Sequence, residues 1–261
     1  MIQPDLLRRI DHPRINSTIF FPRQDPGLPP PPDSEDFHIE VEPGVHVMAR
    51  YHPHKPDSPM LLHFHGNGEI VADYDNIAPA FRAAGASLIS VDYRGYGKSD
   101  GQPSVHKSLD DAHVVLDFIL KLREERGYTS LLAVMGRSLG SAPAIDIAAS
   151  RGDELAGLVV ESGFAQTPPL LALFGISIDE LDISPGSERD NEDKMVEVQK
   201  PVLILHAEED EIIPLWNAER NFAQTGTQQK RLVTIPRADH NTIMMFGDLY
   251  WGGLKTFLSE L

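Results

Sequence analysis

The 261-residue chain contains no cysteine. That one absence removes disulfides, cysteine-ligated zinc and a cysteine nucleophile together. Long apolar runs are missing too, and no stretch approaches the roughly 20 residues of a membrane span. The apolar residues after Arg8 and Arg9 are too few for a signal peptide, so a cytoplasmic protein is expected. Positive charge is scarce: 23 lysines and arginines stand against 39 aspartates and glutamates, a formal net charge of −16. Such a chain repels nucleic acid and anionic membrane surfaces, and neither is expected as a partner. Histidines pair at His52 and His54 and at His63 and His65, but no further ligands cluster with them, so no metal is expected. What remains is an ordinary globular composition, 41% hydrophobic and 24% charged, long enough for one large α/β domain or two small ones.

Residues 1–36 differ from the rest. Pro22, Pro26, Gly27 and the run from Pro29 to Pro32 lead into Asp33-Ser34-Glu35-Asp36. Proline runs favour extended polyproline II and cannot enter a sheet interior, so an arm or linker is expected, with Ile19-Phe20-Phe21 available to pin it to the domain. From Phe37 to the end, residues 37–261, short apolar runs alternate with amphipathic ones. Phe37–Val41 and Val45–Tyr51 read as a hairpin around Gly44, and Met60–His65 as a buried strand. Tyr74–Ala84 is helical in pattern, Ser87–Val91 a strand, and Val105–Arg126 a long amphipathic helix. Further strands fall at Leu131–Met135, Leu158–Val160, Val202–Leu205 and Leu232–Ile235, with helical patterns over Trp216–Gln224 and Leu249–Leu261. This alternation predicts an α/β fold: about eight strands in a mostly parallel sheet, helices on both faces, and a ligand site beyond the carboxyl ends of the strands.

The stretch Leu131 to Ala142 organises the chain. Five apolar residues run into Gly136-Arg137-Ser138-Leu139-Gly140, and helix-forming residues follow. Strand, G-x-S-x-G, helix is the order of a nucleophile elbow, in which a strained turn exposes the serine at the sheet edge. A serine hydroxyl needs a base, and the base needs an orienting acid. His240 follows the last strand and is the candidate base. Asp210 follows the strand before it and is the candidate acid, although Glu208, Glu209 and Glu211 crowd it and Glu161 at the end of the Leu158 strand is an alternative. Two N–H donors for a developing oxyanion are expected from the main chain of Leu139 and of Asn67, the latter in the loop His65-Gly66-Asn67-Gly68-Glu69.

Five motifs in order resemble the α/β-hydrolase-fold serine hydrolases: His65-Gly66-Asn67, Asp92-Tyr93-Arg94-Gly95-Tyr96-Gly97-Lys98-Ser99, the Ser138 pentapeptide, Asp210 with Pro214 after it, and His240. The resemblance covers about residues 37–261 and is to members with little or no cap: esterase-like, serine-aminopeptidase-like and acyl-protein-thioesterase-like. It implies Ser138, Asp210 and His240 as a triad, no cofactor, a small acyl ester or thioester as substrate, and a structural turn at Arg94, Gly95 and Gly97. A peptidase or amidase of the same fold, or a ligand-binding protein built on it, are the alternatives. The N-terminal arm matches nothing general in that superfamily.

Rival motifs fail at particular residues. Gly66-Asn67-Gly68 lacks the third glycine of a dinucleotide fingerprint, where Val71 stands, and Gly97-Lys98-Ser99 lacks the first glycine of a P-loop, where Asp92 stands. Between the sixth strand and the seventh, residues 162–200 leave room for a short flap rather than a cap domain. Its apolar first part holds Leu170, Leu171, Leu173 and Phe174, which either pack as core or, at Leu171 and Phe174, wall an acyl pocket over Ser138. The sequence leaves the oligomeric state open.

Overall fold

The computed structural model describes residues 5–177 and 189–261. Eight strands, β1 (Glu35–Glu42), β2 (Val45–His52), β3 (Met60–Phe64), β4 (Ser87–Val91), β5 (Leu132–Arg137), β6 (Gly157–Glu161), β7 (Val202–Ala207) and β8 (Lys230–Ile235), form one sheet. Their order is β1-β2-β4-β3-β5-β6-β7-β8. β2 runs antiparallel to both neighbours, and every pair from β4 to β8 is parallel. Strands β3 to β7 are buried along their whole length, which is why they read as unbroken apolar runs rather than alternating ones.

Nine helices are described: α1 (Leu6–Arg9), α2 (Pro13–Ile19), α3 (Ala78–Ala84), α4 (Val105–Glu125), α5 (Ser141–Ser150), α6 (Thr167–Leu173), α7 (Asn191–Met195), α8 (Trp216–Gln224) and α9 (Gly247–Glu260). Successive residues of a strand point to opposite faces, so each central strand feeds two cores. Leu62, Phe64, Leu132 and Val134 pack with apolar residues of α4 and α5, while Leu61, Ala133 and Met135 pack with those of α3 and α9.

Two expectations need revision. The helix expected over Tyr74–Ala84 is split into a 3₁₀ turn, Val71–Asn76, and α3, because Pro79 in the first turn of α3 has no N–H to continue a helix arriving from before it. The N-terminal segment expected as an extended arm carries α1 and α2, and Leu6, Leu7, Ile10, Ile15 and Phe20 are buried in the same core as the sheet. Pro29, Pro30 and Pro32 are exposed and irregular, as a proline run should be. Of the flap, α6 and α7 are described; residues 178–188 lie outside the described residues. No helix among the described residues is long and apolar enough to cross a membrane.

Candidate active site

β5 ends at Arg137, and the chain turns at Ser138 with φ of 51°, a left-handed conformation that a side-chain-bearing residue adopts only under constraint. Two glycines make the turn possible. A Cβ on Gly136 would lie 2.2 Å from the Gly140 carbonyl oxygen, and one on Gly140 would lie 2.0 Å from the carbonyl oxygen of Phe64 at the end of β3. The elbow therefore touches the neighbouring strand backbone to backbone. A single 3₁₀ turn, Ser138–Gly140, leads into α5, whose first residue, Ser141, donates its hydroxyl to the Ser138 carbonyl at 2.6 Å.

The loops after β7 and β8 bring Asp210 and His240 to the same edge. His240 Nε2 lies 2.9 Å from Ser138 Oγ, and its Nδ1 lies 2.7 Å from Asp210 Oδ2. The second carboxylate oxygen of Asp210 accepts the main-chain N–H groups of Ile212 at 3.0 Å and Ile213 at 2.7 Å. Burial would raise the Asp210 carboxyl. Hydrogen bonding and attraction to His240, helped by the Ile213 N–H, outweigh it and hold the group below the usual aspartate range. His206, also buried, lies 3.6 Å from Asp210 but places its Nε2 at 2.7 Å from the Ile213 carbonyl, and burial pushes its pKa down. Of the two acids that the sequence left open, Asp210 faces the His240 ring. Glu161 faces elsewhere: it accepts from Arg137 Nη1 at 2.6 Å and from the Tyr250 hydroxyl at 2.6 Å.

Arg137, a variable position of the G-x-S-x-G pattern, is the centre of a polar layer under the site. Its Nε donates to Glu69 at 2.7 Å, its Nη1 to Glu161, and its Nη2 to the His240 carbonyl at 3.1 Å. Glu69 in turn accepts the Gly66 N–H and the Tyr74 hydroxyl, each at 2.7 Å. One guanidinium thus ties the elbow to the loop after β3, the end of β6 and the loop after β8. The two carboxyls respond differently. For Glu69, burial is overcome by Arg137 and the pKa falls to about 2. For Glu161, burial prevails and the pKa rises. The signal was present in the sequence as charged residues at otherwise apolar strand ends, but their partners come from distant segments.

Above this layer is a cavity of about 290 Å³. Ser138 and His240 open into it together with Asn67 and Leu139, the two residues expected to offer main-chain N–H groups. Leu171 is buried and Phe174 is 38% exposed, and both line the cavity, Leu171 belonging to the hydrophobic core as well. The remaining lining is largely apolar and includes residues the sequence did not mark: Leu7, Ile10, Ile19 and Phe20 from the N-terminal segment. Among the described residues, none lining it is an aspartate, glutamate, lysine or arginine. The turn at Arg94, Gly95 and Gly97 is locked beside the site by a two-pronged Arg94–Asp111 pair, at 2.7 Å on both arms.

Against known proteins, a family model described as serine aminopeptidase, S33, matches residues 55–179. Protein bem46 of Schizosaccharomyces pombe is 30% identical over 211 residues, spanning 78% of this chain and 69% of that protein. The chain belongs to the α/β-hydrolase family. Another relative of this hydrolase is the α/β hydrolase domain-containing protein WAV2 of Arabidopsis thaliana, 26% identical over 87% of this chain and 79% of that one. Among solved structures, the esterase Pf2001 of Pyrococcus furiosus superposes with a TM-score of 0.72 at 18% identity, covering 93% of this chain and 98% of that one. Est1E of Butyrivibrio proteoclasticus, solved with ferulic acid, gives 0.70 at 22% identity over 86% and 98%. At such identities these two speak to the fold, and the eight-stranded, mostly parallel sheet is theirs as well.

Proposed function

We propose that this hydrolase cleaves a small carboxylic ester or thioester through an acyl-enzyme on Ser138. The observation that carries the reading is the unbroken chain from Ser138 Oγ to His240 Nε2, and from His240 Nδ1 to Asp210, beside a cavity whose described lining is largely apolar. Asp210 holds the imidazole proton on Nδ1, leaving the Nε2 lone pair facing the hydroxyl. Ser138 Oγ attacks the acyl carbonyl as His240 removes its proton. The carbonyl π electrons move to oxygen, where the Leu139 and Asn67 main-chain N–H groups receive the charge. Collapse of the tetrahedral intermediate breaks the bond to the leaving alcohol or thiol, which takes the proton from His240. Water, activated by the same imidazole, then releases the acid and restores the serine.

The lining also bears on the alternatives. An aminopeptidase must receive its substrate's free ammonium, and a buried ammonium needs a carboxylate partner. Among the described residues no aspartate or glutamate lines the cavity. A mere binding protein would gain nothing from the strained φ at Ser138, which costs on the order of 1–3 kcal/mol. The test is covalent. A fluorophosphonate should label the wild type at Ser138, and Ser138→Ala should lose both the label and nearly all p-nitrophenyl ester hydrolysis while keeping its circular dichroism. Wild-type turnover in the Ser138→Ala protein would refute the assignment.

A further inference from the structure

The N-terminal segment is too weak to fold by itself and too well attached to be a tail. α1 and α2, of 4 and 7 residues, are far shorter than an independently stable helix. Their attachments are numerous. The Leu6 N–H donates to the Arg189 carbonyl at 2.9 Å, closing the segment onto the far end of the flap. Asp5 meets the buried Lys194 ammonium at 2.6 Å, and that same ammonium lies 2.8 Å from Asp146 on α5, the helix that follows the elbow. Asn16 Oδ1 accepts the Val105 N–H at 3.2 Å, at the start of α4.

The segment also grips the loop after β3. Asn67 Oδ1 accepts the Phe21 N–H at 2.9 Å and the Tyr96 hydroxyl at 2.6 Å, while Asn67 Nδ2 donates to the Ile19 carbonyl. Arg23 Nε donates to the Gly68 carbonyl at 3.0 Å. The side chain of the residue proposed to offer an oxyanion N–H is thus held by the N-terminal segment. Between these two sets of anchors, Leu7, Ile10, Ile19 and Phe20 turn apolar side chains into the cavity that holds Ser138.

We infer that residues 5–24 are the acyl-binding wall of this enzyme, selecting a neutral acyl chain of medium length and bracing the oxyanion loop through Asn67. The inference rests on the reading of Ser138 as an acyl-transfer nucleophile. The cavity of about 290 Å³ lies at the small end of the range for ligand pockets, room for an acyl chain of medium length such as octanoyl. Burying each methylene is worth about fourfold in kcat/KM, so the segment commands a large share of the specificity.

The experiment measures kcat and KM for p-nitrophenyl acetate, butyrate, octanoate and dodecanoate. Wild type should prefer octanoate. Ile19→Trp, which fills the cavity, should lower the octanoate-to-acetate ratio of kcat/KM by about fifteenfold, two methylenes' worth. Phe20→Leu, a milder change that enlarges the cavity, should move the optimum to longer chains and decides the matter if the tryptophan variant does not fold. Asn67→Ala keeps the main-chain N–H but removes the brace, and should lower kcat for acetate and octanoate by the same factor. Chain-length profiles parallel to wild type in both cavity variants would overturn the wall. Unchanged acetate kcat in Asn67→Ala would overturn the brace. Either result with Ser138 still labelled by fluorophosphonate defeats this inference alone, whereas an unreactive Ser138 defeats the acyl-transfer reading beneath it.

Discussion

Replacing Asp210 by asparagine tests the proposed chemistry at its most constrained point. One carboxylate oxygen of Asp210 accepts two main-chain N–H groups, from Ile212 and Ile213. In Asp210→Asn the amide oxygen must take that side, because an NH₂ group there would meet two donors. The NH₂ group is then forced towards His240 Nδ1, across the 2.7 Å that the carboxylate now spans. Two donors cannot face each other, so the imidazole must accept at Nδ1 and carry its proton on Nε2, towards Ser138. The base is then lost in geometry that hardly changes. The expected penalty is about 10⁴-fold in kcat, which corresponds to about 5 kcal/mol of transition-state stabilisation. KM should move little, since Asp210 does not line the cavity. Steady-state hydrolysis of a p-nitrophenyl ester, with circular dichroism as the folding control, reads the outcome. A fall of less than tenfold would refute the argument, and a far larger fall in Glu161→Gln would transfer the orienting role to the other carboxylate.

The remaining predictions concern the scaffold. Gly140→Ala adds a methyl 2.0 Å from the Phe64 carbonyl oxygen, so β3 and the elbow must separate; a cost of about 1–3 kcal/mol should lower Tm by roughly 2–12 °C, and an unchanged Tm would show that the contact relaxes freely. Arg137→Met leaves Glu161 buried and Glu69 half-buried without their cation and should destabilise by about 3–5 kcal/mol; adding Glu161→Gln should recover part of this, and strict additivity in the double mutant would contradict the network. Glu69 has its pKa depressed from 4.5 to about 2, so its contribution is complete above the higher value and vanishes as pH falls through the lower one. The stability at stake is about 3 kcal/mol. Urea unfolding should show that loss between about pH 5 and about pH 2 in wild type and a flatter profile in Glu69→Gln; parallel profiles would place the acid sensitivity elsewhere.

What the sequence alone determined is what depends on neighbours in the chain. A buried strand announces itself by an apolar run, and an elbow by two glycines around a serine, because strand, turn and helix are set within about a dozen residues. The serine, the histidine after β8 and an acid after β7 were therefore legible, and so was the parallel sheet that gathers strand ends on one edge. The tertiary structure decided the rest. Which carboxylate faces His240 depends on the Ile212 and Ile213 amides that aim Asp210, and on Arg137 and Tyr250, which occupy Glu161. Arg137 itself looked like a filler residue because its partners lie 68, 24 and 103 residues away. The N-terminal segment was the hardest to read. Residues 26–30, with their prolines and single glycine, are exposed and irregular, but Leu7, Ile10, Ile19 and Phe20 become a cavity wall only where α4, α5 and the loop after β3 offer a surface to pack on. Helices of one and two turns carry almost no stability of their own, so local pattern could not reveal them; only burial against the finished domain makes them form.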